Sequence, residues 1–327
     1  LKKFINSAED LVRDSVAGLV MAHDGLLALN DEPLFVHRAS PKRDRVALVS
    51  GGGSGHEPLH TGYVGPGMLD AACPGQVFTA PTPAQIAGAA RRVDAGRGVL
   101  LIAKNYAGDM ASFSMARDML ALEHELVLVN DDVAMEESTH SVGRRGVAGT
   151  VLVEKVVGAA AEAGLDLYAC KALGDRVNSC TASMGVAFTS CTVPDAEAPT
   201  FDIGPDEMEV GVGIHGEPGR YRRAAADADG IVDLLLEAIL KDLGVKPGTE
   251  VLLQVNGFGG TPLIELHLLN KIATDRLRGR GLAVSRWLVG NHTTSLEMAG
   301  ASLSVCVLDD EIRRLWDAPV STASLRW

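Results

Sequence analysis

The sequence predicts an α/β protein of two domains, each a largely parallel or mixed sheet flanked by helices, and three observations carry that expectation. Short apolar β-like runs alternate with helical stretches, the pattern of βα winding. The 327 residues exceed what one core usually holds. With 36 glycines and no repeat, 46% hydrophobic and 22% charged residues, the composition is that of a globular protein rich in tight turns, not of collagen or a disordered chain.

Leu34–His37 and Val46–Val49 read as strands, and Pro83–Val93 as a helix capped by Thr82 with proline at its first position. Gly98–Ala103 is the next strand, Met110–Glu123 a helix and Leu126–Asn130 another strand. Val147–Gly164 and Leu167–Ser179 read as helices whose small side chains allow close packing on a sheet or at an interface. A β-rich stretch opening near Ser183 places the domain boundary there, giving 1–182 and 183–327. The second part offers strands at Met184–Thr189, Met208–Ile214, Glu250–Val255, Ala283–Val289 and Leu303–Val307, with helices at Asp227–Leu243 and Pro262–Arg278.

A net charge of −12 argues against general nucleic-acid binding and favours solubility. The five cysteines, Cys73, Cys170, Cys180, Cys191 and Cys306, form no C-x-x-C pair, so reduced thiols of a cytoplasmic protein are expected. The apolar stretch Val16–Leu29 is interrupted by His23 and Asp24, and no run reaches the ~20 apolar residues a membrane span needs. His60, His140 and His292 have no ligand-like spacing, and no structural metal is expected.

Chemistry concentrates in loops that follow strands. Ser50-Gly51-Gly52-Gly53-Ser54-Gly55-His56-Glu57-Pro58 surrounds an imidazole with four glycines directly after an apolar run. Glycines at a strand's end can turn with positive φ and approach a ligand closely. The loop lacks the G-K-[ST] ending of a P-loop and does not give G-x-G-x-x-G, so it is not read as a phosphate cradle. Asp109 follows a second strand, and His215 a third within Gly213-Ile214-His215-Gly216-Glu217-Pro218-Gly219. Simpler roles stand beside each: a helix N-cap for Asp109, a residue tying down its own loop for His56, a loop histidine for His215 and a surface lysine for Lys104. Asp131-Asp132 suits capping better than a metal, Arg144-Arg145 suits a partner contact or salt bridges, and Gly257–Pro262 suits packing or an interface.

The glycine loop, Lys104-Asn105-Tyr106-Ala107-Gly108-Asp109, Gly143-Arg144-Arg145-Gly146-Val147-Ala148 and the His215 motif together resemble the K subunit of dihydroxyacetone kinases. The likeness runs from Lys2-Lys3-Phe4-Ile5-Asn6 to Leu308-Asp309-Asp310-Glu311 and Trp316-Asp317-Ala318-Pro319. It implies that His215 attacks the carbonyl carbon of dihydroxyacetone and holds it as a hemiaminal, with Asp109 as base for the terminal hydroxyl and His56 as its helper. It also implies that Gly53 and Lys104 line the substrate pocket.

The same resemblance implies a cytoplasmic homodimer whose phosphoryl donor sits on a separate or fused helical L part. That part would carry Mg-ATP or Mg-ADP, recharged in some systems by a phosphocarrier M subunit of the phosphotransferase system. No cofactor is expected in this chain, which ends at Trp327 without a further part to hold ATP. One departure bears on the substrate: the family pattern Phe-Thr-Ser-Pro-Thr-Pro stands here as Phe78-Thr79-Ala80-Pro81-Thr82-Pro83. Losing a hydroxyl near the pocket makes a four-carbon ketose such as erythrulose an alternative. A ketose sensor is the reading of a different class, disfavoured because a sensor needs the anchor His215 but not the base Asp109.

Overall fold

The computed structural model describes residues 2–41, 43–134 and 143–327. The chain opens with helix α1 (Leu11–Ala22), then strands β1 (Leu27–Asn30), β2 (Phe35–Arg38), β3 (Ala47–Ser54) and β4 (Ala71–Val77). Helix α2 (Pro83–Val93), β5 (Val99–Lys104), α3 (Ala107–Asp118) and β6 (His124–Val129) complete a first sheet, ordered β1-β2-β4-β3-β5-β6. Helices α4 (Gly149–Glu162) and α5 (Leu167–Ser179) lead into the second half. There β7 (Thr181–Ala187), β8 (Glu207–Val210), β9 (Tyr221–Ala224), α6 (Ala228–Leu243), β10 (Glu250–Gly257), α7 (Leu263–Gly279), β11 (Ala283–Gly290), β12 (Gly300–Val307) and α8 (Asp310–Trp316) follow. This second sheet is ordered β11-β10-β12-β7-β8-β9.

Alternation along the strands divides the first core. Leu48, Leu100, Ile102, Val127 and Val129 face α4 and α5, while Ala47, Val49, Leu101 and Ala103 face Ile86 and Ala90 of α2 and Phe113 of α3. The second sheet packs Val251, Leu253, Leu303 and Val305 on Val232, Leu235, Leu236 and Ile239 of α6 and on Leu266 and Leu277 of α7. Its Leu252 and Cys306 join the first core, so α4, buried from Gly149 to Ala161, lies inside the molecule. None of the described helices is long and apolar enough to cross a membrane.

The capping expectation for α2 holds. Thr82 and Gln85 form a reciprocal capping box with proline at the start of α2, and Asp227 caps α6. Two expectations need correction. β3 runs through the glycines to Ser54, pairing Gly51, Gly52 and Gly53 with Cys73, Pro74 and Gly75 of β4, so within the loop only Gly55 has positive φ. Asp109 lies in the first turn of α3 and is not its N-cap, a position held by Tyr106. The second sheet is mixed, within the expected class: parallel between β10 and β11 and antiparallel elsewhere, because no helix separates β11 from β12 or β7 from β8 to carry a crossover.

Candidate active site

The two sheets meet where the glycine strand faces the loop between β11 and β12. Leu296 donates its backbone N–H to Gly55 O at 2.9 Å, and Thr294 Oγ1 donates to Glu57 O at 2.9 Å. A small cluster of Tyr106, Val147, Val212, Ile214, Phe258 and Met298, with Phe78 beside it, seals this junction.

His56 is fully buried there, and its Nδ1 lies 2.8 Å from Thr294 O. A carbonyl only accepts, so Nδ1 carries the proton and Nε2 is bare; Nε2 has no hydrogen-bond partner. Burial, His215 and Lys104 hold the ring well below its ordinary pKa and therefore neutral. The His215 ring meets that of His56 edge-on with centroids 4.6 Å apart, and Tyr106 and Phe78 wall it at 4.2 and 5.7 Å. Burial of the ring, with Lys104 and Arg145 nearby, pushes His215 down to about 3.

The His215 loop is clasped from below. Its backbone N–H donates to Glu217 Oε2 at 2.7 Å, and Glu217 folds over Gly213, where a Cβ would collide with the carboxylate. Arg145 Nη1 donates to Glu217 Oε1 at 3.2 Å, its Nε to Asp132 Oδ2 at 2.8 Å and its Nη2 to Gly211 O at 2.7 Å. Arg144 instead pairs with Asp242 at 2.9 Å. Asp131 accepts from the backbone of Val147 and Gly149 and so secures the start of α4. The acidic pair thus takes structural partners. Among the described residues no group of three or more His, Cys, Asp and Glu is placed to hold a metal.

Lys104 ends β5, fully buried, with Nζ 3.5 Å from Asp109 Oδ2, an oxygen that has no hydrogen-bond partner. Burial raises the Asp109 carboxyl above its ordinary range, and the ammonium of Lys104 opposes that rise. Gly52 leaves room for this arrangement, since a Cβ there would strike Lys104 Nζ. Ala80 is half-buried, its Cβ 3.5 Å from where a Cβ on Gly108 would stand, beside the first turn of α3. A Cβ on Gly53 would lie 2.7 Å from Thr79 N and 2.8 Å from Phe78 C, backbone atoms that cannot rotate away. Gly53→Ala is therefore expected to lose about 1–3 kcal/mol of stability, as overpacked sites do, read from the denaturant midpoint.

The structure thus brings His56 against His215 and Lys104 against Asp109, with Gly53 and Ala80 on the adjoining strand end and loop. Sequence reading passed over the Arg145–Glu217 clasp, the walls Phe78 and Tyr106, and the Thr294 carbonyl. Glu217 and Tyr106 lay inside the motifs and could have been marked; a backbone carbonyl carries no sequence signal. His60 and Glu154 belong to a buried polar chain behind Lys104, and His292 lies 3.2 Å from Tyr63 Oη. His140 lies outside the described residues.

The sequence matches the Dak1 domain over residues 17–324. It is 44% identical over 355 residues to the dihydroxyacetone-binding subunit of the PEP-dependent dihydroxyacetone kinase of Escherichia coli (strain K12), covering 100% of this chain and 99% of that protein. It is 46% identical over 314 residues to the dihydroxyacetone-binding subunit of PTS-dependent dihydroxyacetone kinase 1 of Listeria innocua serovar 6a, covering 95% of each. A solved structure described as a dihydroxyacetone kinase operon co-activator superposes with a TM-score of 0.89 at 31% identity, covering 95% of this chain and 96% of that one.

Proposed function

The chain belongs to the dihydroxyacetone kinase K-subunit family, marked by its Dak1 domain, and from that premise we infer that it is the ketose-binding subunit of a dihydroxyacetone kinase. The observation that carries this reading is the convergence, at one sheet junction, of two neutral imidazoles and a carboxylate held by a buried lysine.

His215 is the anchor. A ring pushed down to about 3 keeps its lone pair at physiological pH, where a lysine amine of ordinary pKa would be mostly protonated. Its nitrogen adds to the carbonyl carbon, and the C=O π pair moves onto oxygen as an alkoxide. The imidazole gives up its N–H proton, the oxygen gains one, and a neutral hemiaminal results. The bare Nε2 of His56 is the base that passes this proton. A carbonyl is required to form the bond, so a short ketose is held covalently and glycerol is not.

Asp109 then accepts the proton of the terminal hydroxyl as that oxygen bonds to the incoming phosphoryl group. Lys104 favours the ionised carboxylate at the start of this step and, with Gly53, lines the pocket. The donor belongs to a separate helical L subunit carrying Mg-ATP or Mg-ADP, with a phosphocarrier M subunit as the source of phosphate in a phosphotransferase system. The working form is a cytoplasmic homodimer.

Ala80 favours one variation, in which a four-carbon ketose such as erythrulose takes the place of dihydroxyacetone. Likeness to the operon co-activator supports a sensor as the other-class reading, against which stand His56 and Asp109. Reconstitution separates the three. Chain, L subunit and donor together are expected to phosphorylate dihydroxyacetone, the chain alone to phosphorylate nothing. Faster turnover of erythrulose would shift the substrate, and capture without turnover in the full mixture would establish the sensor.

A further inference from the structure

Asp109 accounts for only one side of Lys104. On the other, Lys104 Nζ lies 3.0 Å from His60 Nε2, and His60 Nδ1 lies 2.6 Å from Glu154 Oε1. Ser50 Oγ donates to Ile102 O at 2.9 Å and lies 3.0 Å from the same Nδ1. Ser50 comes from β3, Lys104 from β5 and Glu154 from α4, and all three are fully buried. A fully buried carboxylate is costly, and although Lys155 follows it in α4, that ammonium donates to Leu315 O at 2.8 Å, so packing alone would be better served by an apolar residue at Glu154.

The directions of the hydrogen bonds follow from the donor inventory. An ammonium only donates, so His60 Nε2 accepts, the ring proton sits on Nδ1, and Glu154 accepts it. We infer that His60 and Glu154 are positioning residues that hold the Lys104 ammonium against Asp109 by fixing His60 in its Nδ1–H tautomer. This inference rests on the reading of Asp109 as the base.

The electrostatics agree. Burial, Lys104 and His56 keep His60 well below its ordinary pKa, hence neutral. Burial pushes Glu154 up to about 8 against Ser50 and Lys104, so mildly alkaline pH favours the ionised arrangement. Tyr63 also faces Glu154, which with burial pushes its hydroxyl up. Glu154 reaches Asp109 through Lys104, the cation that acts on that carboxyl.

Two measurements test it. In nitrogen-15 spectra of the free chain at pH 9, His60 is expected to show a protonated Nδ1 and a bare Nε2; the opposite tautomer overturns the inference. In the reconstituted kinase, His60→Leu is expected to lower kcat about tenfold while ketose capture persists, and to move the acid limb of kcat up by about one pH unit as Asp109 loses its neighbouring cation. His60→Gln, whose amide oxygen accepts from Lys104, restores most of both. A packing role predicts the reverse, with Leu tolerated, Gln worse and the limb unmoved, and that result overturns the inference. A wild type that neither captures nor turns over ketose sinks the underlying reading as well, whereas an active wild type with a silent His60→Leu sinks only the positioning role.

Discussion

His215→Ala is expected to abolish covalent ketose capture and to lower kcat/KM in the reconstituted kinase on the order of 10²-fold, the scale on which loss of a fixed reacting geometry is felt. The fold should survive, because the loop is held through the His215 backbone N–H, Glu217 and Arg145, none of which needs the imidazole. The pH dependence is equally specific. A ring held at about 3 is neutral at pH 5, so wild-type capture at pH 5 should match that at pH 8; an ordinary histidine would be mostly protonated there and capture would collapse. Carbon NMR of carbonyl-labelled dihydroxyacetone at the two pH values reads both points. Undiminished capture by the alanine variant removes His215 as anchor.

Asp109→Asn separates the second step from the first. The amide keeps the shape of the side chain beside Lys104 but cannot accept the hydroxyl proton, so capture is expected to persist while kcat falls by roughly 10²–10⁴. In the wild type, burial raises this carboxyl, so the acid limb of kcat should lie above the 3.8 of an ordinary aspartate, with activity rising as the carboxylate forms. That limb should vanish in the asparagine variant. Unchanged turnover in the presence of L subunit and donor would sink the role of Asp109 as base.

Much of this was legible in the letters because the site is built on strand ends. Lys104 closes β5, His56 follows β3, and Asp109 opens α3, all inside motifs that stand out as glycine-rich or as departures from apolar runs. The capping of α2 was legible for a local reason, since Thr82 satisfies its own helix terminus. β4 was not, because Pro74 and Gly75 sit within it. The structure tolerates Pro74 because β2 pairs with β4 only at Ala71 and Ala72, leaving the proline on a locally open edge.

The glycine run stood out in the sequence, but the packing that requires it did not. Gly52 and Gly53 are extended residues of a paired strand, needed because Lys104 and the Phe78–Thr79 backbone press against them, and not because the chain turns there. Long-range pairing hid the remainder. His60 and Glu154 are 94 positions apart, and nothing near either residue announces the other. The same holds for Thr294, whose carbonyl sets the tautomer of His56 from 238 positions away.

The proposed function depends on covalent capture of a small ketose on His215. Its most direct test is the carbon NMR spectrum of the purified wild-type chain, without partner or donor, mixed with dihydroxyacetone labelled at the carbonyl carbon, with erythrulose in parallel. The ketone resonance is expected to give way to a tetrahedral-carbon resonance bound to protein, for one of the two sugars more completely than the other. A ketone resonance unchanged for both at millimolar protein would contradict the account.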